Sequence, residues 1–183
     1  MALGLGTSMA FSGGVLDECT YLKGAYDTNQ AGSSGIRMDN QFASVTAASG
    51  DTWTVTCNIY LTGSSDTWDA GTDPVSTQFV MGNKSAAPAV PQNTLTAIDV
   101  SSGSGMDAGW SDNMFIYWGS SADYPDAGAE FYISDLKIVI KDSGGSVKAT
   151  NIYDFSSSGD ISMIYDYSVD EGDLTKTKGN CLP

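Results

Sequence analysis

The run Ala129 to Lys141, AEFYISDLKIVIK, is the densest apolar stretch in the chain, and its alternation changes phase once. Phe131 and Ile133 share one parity; after Ser134 and Asp135 the apolar set becomes Leu136, Ile138 and Ile140, on the other. Successive side chains of a strand point to opposite faces, so one flat strand cannot bury both sets on the same side. Either both faces are covered, or one extra residue is inserted at Ser134-Asp135. The second reading is adopted here: a β-bulge bending a long strand in its middle. A bent strand of this length suits the curvature of a two-sheet sandwich of jelly-roll type.

The remaining apolar pattern agrees. In Asp51 to Leu61, Trp53, Val55, Cys57, Ile59 and Leu61 share one parity while Thr52, Thr54, Thr56, Asn58 and Tyr60 share the other, so one face is core and the other wet, as in an antiparallel sheet. Further strands are expected at Val15 to Lys23, Ile36 to Val45, Val75 to Met81, Thr94 to Val100, Trp110 to Trp118, Val147 to Phe155 and Ile161 to Tyr167. The segment NKSAAPAVP reads as a proline-bearing edge or connection, and Asp142 to Ser146 as a hairpin turn. No window of 11 or more residues carries a helical stripe, and 21 Gly with many Ser and Thr suit short strands joined by loops. The expectation is an all-β, jelly-roll-like antiparallel β-sandwich over residues 15–167, preceded by an extended N-terminal arm over 1–14 and followed by a C-terminal tail over 168–183 that extends over the surface or onto a neighbour.

With Asp+Glu at 22 and Lys+Arg at 8 the chain carries −14, which repels a polyanion and argues against nucleic-acid binding. Partners should be basic, neutral or cation-bridged. Three cysteines cannot all pair within one chain, and Cys57, on the apolar parity of its strand, is expected to be a buried thiol. The first 15 residues have no basic n-region or apolar h-region, so export by a signal peptide is not expected, and no stretch reaches the length of a membrane-spanning helix.

The absence of histidine removes Ser-His-Asp and Cys-His centres and imidazole metal sites. A carboxylate pair for glycoside hydrolysis remains conceivable, but Glu occurs only at 18, 130 and 171, so no catalysis is expected. Loop acids could ligate Ca²⁺, either Asp66, Asp69 and Asp73 or Asp17 with Asp135, against the plainer reading of solvated turn acids; Asp135 stands out because a bulge re-aims its side chain. No other cofactor is expected. Trp68, Tyr124, Tyr60 and Tyr117 are candidates for stacking on sugar rings, by parity or by position in loops. Core or subunit interface is the rival reading, preferred for Trp53, Trp110 and Trp118 and left open for Trp68 and Tyr124. In the glycine-rich arm, Leu3, Leu5, Met9 and Phe11 are the groups a docked arm would bury on a partner.

Two stretches carry resemblances. SADYPDAGAEFYISDLKIVI, with its Phe131-Tyr132-Ile133-Ser134-Asp135 pattern, resembles the final strand of jelly rolls of the carbohydrate-binding-module type, and the resemblance implies an acid at Asp135 that helps hold a structural Ca²⁺. MALGLGTSMAFSGG is similar to the N-termini of small structural proteins of tailed bacteriophages, especially marine and cyanobacterial ones. Together they imply a non-enzymatic virion protein on the capsid exterior or the tail. The first expectation is a capsid decoration or cement protein, a homotrimer whose arm docks on the major capsid protein and which strengthens the shell by added buried interface. The alternative is a glycan-binding module of a head or tail fibre that contacts host polysaccharide. Neither involves membrane insertion.

Overall fold

In the computed structural model the described residues are 19–27, 30, 34–62, 68, 74–118, 125–153, 155, 161–165 and 174–179, with 19–20, 161–165 and 174–179 described by backbone alone. They form twelve strands: β1 (Cys19–Ala25), β2 (Ser34–Met38), β3 (Thr52–Thr62), β4 (Val75–Met81), β5 (Lys84–Ala86), β6 (Ala89–Val90), β7 (Thr96–Ser101), β8 (Met114–Trp118), β9 (Glu130–Lys141), β10 (Val147–Tyr153), β11 (Ile161–Tyr165) and β12 (Leu174–Gly179). All pairings are antiparallel. One sheet, A, runs β12-β1-β9-β3-β7 with β10 added on β9; the other, B, runs β11-β2-β8-β4-β5 with β6 added on β4. The partners β1–β9, β2–β8, β3–β7 and β4–β5 are the rungs of one long hairpin, and rolling that hairpin until β9 meets β3 and β8 meets β4 produces a jelly roll.

The phase slip in β9 is a bulge. Thr56 stands opposite Lys137 and Asn58 opposite Ser134, so the single Cys57 faces two residues, Asp135 and Leu136. Asp135 takes up the extra residue with φ at 53°, a left-handed conformation that Asp tolerates better than most side chains. The bulge also divides the far edge of β9 between two partners. Residues 130 to 134 pair with β1, and 136 to 141 pair with β10. The hairpin joining β9 to β10 closes as the DSGGS turn predicts: the Asp142 carboxylate accepts from the Gly144 and Ser146 N–H groups at 2.9 and 2.8 Å, and Gly145 supplies φ of 88°.

The inward residues of both sheets form one core. Trp53, Val55, Cys57, Ile59 and Leu61 of β3, and Phe131, Ile133, Leu136, Ile138 and Ile140 of β9, are all buried. Across the sandwich Trp118 meets Phe131 with ring centroids 4.3 Å apart. Gly24 makes room for that ring, since a Cβ there would sit 2.1 Å from Phe131. Cys57 is a free, buried thiol, and burial pushes its pKa up to about 12, so it is inert as a nucleophile.

Several expected boundaries move. The strand expected over Ile36 to Val45 stops at Met38, because the chain turns through Asn40 at φ 54° and tucks Phe42 into the core. The strand expected from Trp110 begins at Met114, since Trp110 is buried in a loop with its indole N–H donated to Asp51 at 3.1 Å. The stretch read as a connection, NKSAAPAVP, supplies two short strands on β4. Within the region read as a tail, Leu174–Gly179 adds an edge strand to β1.

Candidate functional site

The outer face of sheet A gathers the side chains that face water from β1, β9 and β3. Parity alone puts Tyr132 outward between the buried Phe131 and Ile133, and Tyr60 outward between the buried Ile59 and Leu61. Register then brings residues distant in sequence side by side. Tyr60 stands opposite Tyr132 on β9, and Lys23 of β1 stands opposite Tyr132 on its other side. Tyr21 faces Ser134, one diagonal step away. The result is a row of three half-exposed tyrosines across three strands: Tyr21 to Tyr132 at 5.5 Å between centroids and 56° between planes, Tyr132 to Tyr60 at 6.1 Å and 70°.

Polar groups border the row. On one side Tyr132 donates its hydroxyl to Glu130 Oε2 at 2.6 Å, and Lys23 Nζ donates to Glu130 Oε1 at 2.6 Å while lying 5.5 Å from the Tyr132 ring centre. On the other, the bulge presents Asp135, whose Oδ2 accepts from Asn58 Nδ2 at 2.7 Å and from the Ser134 hydroxyl at 3.2 Å. Partial burial would raise the Glu130 pKa, but the hydrogen bonds from Lys23 and Tyr132 outweigh it and hold the carboxyl below its ordinary range. The bond to Glu130 raises the Lys23 pKa in turn, and burial followed by the Glu130 carboxylate raises that of Tyr132. All three groups are therefore held in their neutral-pH forms: carboxylate, ammonium and phenol.

Of the sugar-stacking candidates among the described residues, Tyr60 alone lies on this face. Tyr117 is on the outer face of sheet B, on the opposite side of the sandwich, with its hydroxyl donated to Gln78 Oε1 at 2.8 Å. Trp68, left open between a stacking ring and a core residue, is fully buried. Its ring stands edge-on to Tyr26 and Trp118, at 6.0 and 5.6 Å between centroids, and its indole N–H is donated to the Thr62 carbonyl. No face of that ring reaches a ligand. Tyr124, the arm residues Leu3, Leu5, Met9 and Phe11, and the acids Asp17, Asp66, Asp69 and Asp73 lie outside the described residues. As for calcium, the described neighbours of Asp135 are an amide and a hydroxyl, and among the described residues no three Cys, Asp or Glu side chains gather as a metal site would require.

No protein-family model matches the chain, and no curated protein and no solved structure matches it significantly. The face must be read from its own chemistry. It offers aromatic surface beside hydrogen-bonding groups that both donate and accept, which is what stacking and hydroxyl recognition of a sugar demand. Its two carboxylates, Glu130 and Asp135, border the row on its two sides, and each already accepts from two neighbouring donors. Tyr21 and Tyr132 were accessible to sequence reasoning only in part. The outward parity of Tyr132 follows from the alternation, but its pairing with residues 21 and 60 depends on a register that no local pattern encodes.

Proposed function

We propose that the chain is a non-enzymatic virion structural protein whose jelly roll binds glycans on the outer face of sheet A. The observation that carries the glycan reading is the row Tyr21, Tyr132 and Tyr60, bordered by Lys23-Glu130 and by Asn58-Asp135. Three partly exposed rings gathered on one sheet face, stabilised by their cross-strand contacts, offer a ligand a stacking surface. The absence of histidine and the presence of only three Glu support binding without turnover. The virion setting rests on the similarity of the N-terminal stretch to phage structural proteins.

A glycan array probed with the purified protein tests this. Tyr60→Ala and Tyr21→Ala are expected each to weaken binding about tenfold, as loss of one stacked aromatic does, with the melting temperature within about 2 °C of wild type because both rings lie outside the core. Binding to sugars that ignores both substitutions, or binding to none, defeats the glycan reading.

The decoration or cement reading has its own support. The first 16 residues carry no charged side chain in a chain of net −14, and Leu3, Leu5, Met9 and Phe11 give that stretch apolar side chains to bury. Deleting residues 1–14 is expected to abolish incorporation into particles while the remaining chain still folds, which gel quantitation of purified particles measures. Normal occupancy by the truncated protein removes this reading and leaves the glycan face untouched.

A further inference from the structure

Tyr132 is the centre of the tyrosine row and the most constrained of the three rings. Its hydroxyl is anchored on Glu130 Oε2 at 2.6 Å, the Lys23 ammonium sits 5.5 Å from its ring centre, and the rings of Tyr21 and Tyr60 approach it at 56° and 70°. A ring pinned at its hydroxyl and over its face loses no further rotamer freedom when a ligand arrives. It also stands between its neighbours instead of lying in one plane with them. We infer that Lys23 and Glu130 are positioning residues that fix Tyr132 as a divider between two stacking berths, on Tyr21 and on Tyr60, and that the face so built takes an uncharged glycan chain lying across β1, β9 and β3.

The inference rests on the glycan reading above and adds its ligand class and its positioning pair. Charge decides the class. The Lys23 cation is already matched by Glu130, whose oxygens receive Lys23 and Tyr132, and Asp135 receives Asn58 and Ser134. A carboxylate accepts about four hydrogen bonds in all, so sugar hydroxyls can still donate to either acid. A sugar sulfate or carboxylate cannot, and it would meet both acids on a chain of net −14. Among the described side chains, the cations that would favour an anionic chain, Lys137 and Lys141, lie farther along β9 on the same face, opposite Thr56 and Thr52 and so about 13 and 26 Å from Tyr132 at the strand rise. The titratable or charged side chains facing Glu130 across the row are Tyr21 and Lys23 of β1, Tyr60 of β3, and Tyr132, Asp135 and Lys137 of β9.

The test is calorimetric titration of the full chain with a neutral glucan and a neutral mannan, and with the sulfated derivative of each. The neutral polymer is expected to bind at least about tenfold more tightly than its sulfated derivative at low salt, with the gap narrowing as salt is added. Glu130→Gln and Lys23→Met are each expected to weaken neutral binding about tenfold without a change in melting temperature. Because the hydrogen bonds from Lys23 and Tyr132 hold the Glu130 carboxyl below its ordinary range, wild-type binding should hold at neutral pH and weaken only on strong acidification, as Glu130 takes up a proton. Tighter binding of the sulfated polymer overturns the ligand class. Wild-type affinity in Glu130→Gln overturns the positioning role. Loss of binding in Tyr21→Ala and Tyr60→Ala alongside unchanged Glu130→Gln separates failure of this inference from failure of the glycan reading, which would instead leave the tyrosine variants silent. No binding to any of the four polymers overturns both.

Discussion

Trp118→Ala is expected to lower the melting temperature by about 10 °C or more, the consequence of about 3–5 kcal/mol lost when a buried Trp is truncated in a chain of this size. Trp118 sits on β8 at the centre of the cross-sheet aromatic cluster, against Phe131 at 4.3 Å and Trp68 at 5.6 Å between centroids, and is fully buried. Its register neighbours are small, Ser34 on β2 and Thr77 on β4, so neither can fill the space an alanine would leave. The indole N–H is also donated to the Tyr26 hydroxyl at 2.6 Å, inside the core. Trp118→Phe keeps an aromatic ring against Phe131 but loses the donor and part of the ring volume, so it should fall between wild type and Trp118→Ala. Thermal unfolding followed by near-ultraviolet circular dichroism measures both, and equal melting points for Trp118→Ala and wild type would mean that these rings do not carry the core. Phe131, which lies on the other side of this contact, precedes Tyr132 in the chain. Loosening the cluster should therefore weaken the proposed glycan binding as well, through the strand that bears the central tyrosine.

The fold was legible in the sequence wherever burial imposes period two. The slip between Ile133 and Leu136 located a bulge to within one residue, because a sheet with one dry face cannot tolerate a change of phase without inserting a residue. The alternation over 51–61 located β3 for the same reason. What stayed hidden was whatever depends on tertiary partners. Leu174–Gly179 has a single aliphatic residue and two lysines, so nothing in LTKTKG marks a strand, yet an edge strand needs only backbone partners, which β1 supplies. Trp68 lies among Ser, Thr, Asp and Gly, which reads as a wet loop, but its ring packs on Tyr26 and Trp118, residues 42 and 50 positions away. The site was half legible for a related reason. Parity exposes Tyr60 and Tyr132 one at a time, whereas the row needs the register of β1 and β3 on β9.

At the opposite end of β9 from the tyrosines, Asp51→Ala is expected to cost about 2–4 kcal/mol, chiefly because the Ala48 and Trp110 N–H groups lose their acceptor while the partly exposed Lys148 can turn to water. The Asp51 carboxylate is almost fully buried and is met by the Lys148 ammonium at 2.7 Å, the Ala48 N–H at 2.9 Å and the Trp110 indole N–H at 3.1 Å. It thereby ties together the turn before β3, the loop before β8 and the start of β10. Lys148 reaches the same turn a second time through the Thr46 carbonyl at 2.6 Å. Burial alone would raise the Asp51 pKa, but the Lys148 ammonium and the two N–H donors outweigh it, so the folded value lies below the usual carboxylate range. A depressed folded pKa makes its stabilisation complete above the unfolded value near 3.9 and removes it as pH falls through the folded value. Wild-type stability should therefore drop on acidification from about pH 5 downward, and Asp51→Ala should lack this component of the drop. Asp51→Asn, which keeps the shape and can still accept from the Ala48 and Trp110 N–H groups, should fall between the two at neutral pH. Urea denaturation at pH 7 and pH 3 measures all three proteins, and a pH dependence identical in wild type and Asp51→Ala would rule the pair out as the acid-sensitive link. Because this cluster and the tyrosine row lie at opposite ends of β9, Asp51→Asn should leave the proposed glycan binding unchanged wherever it remains folded.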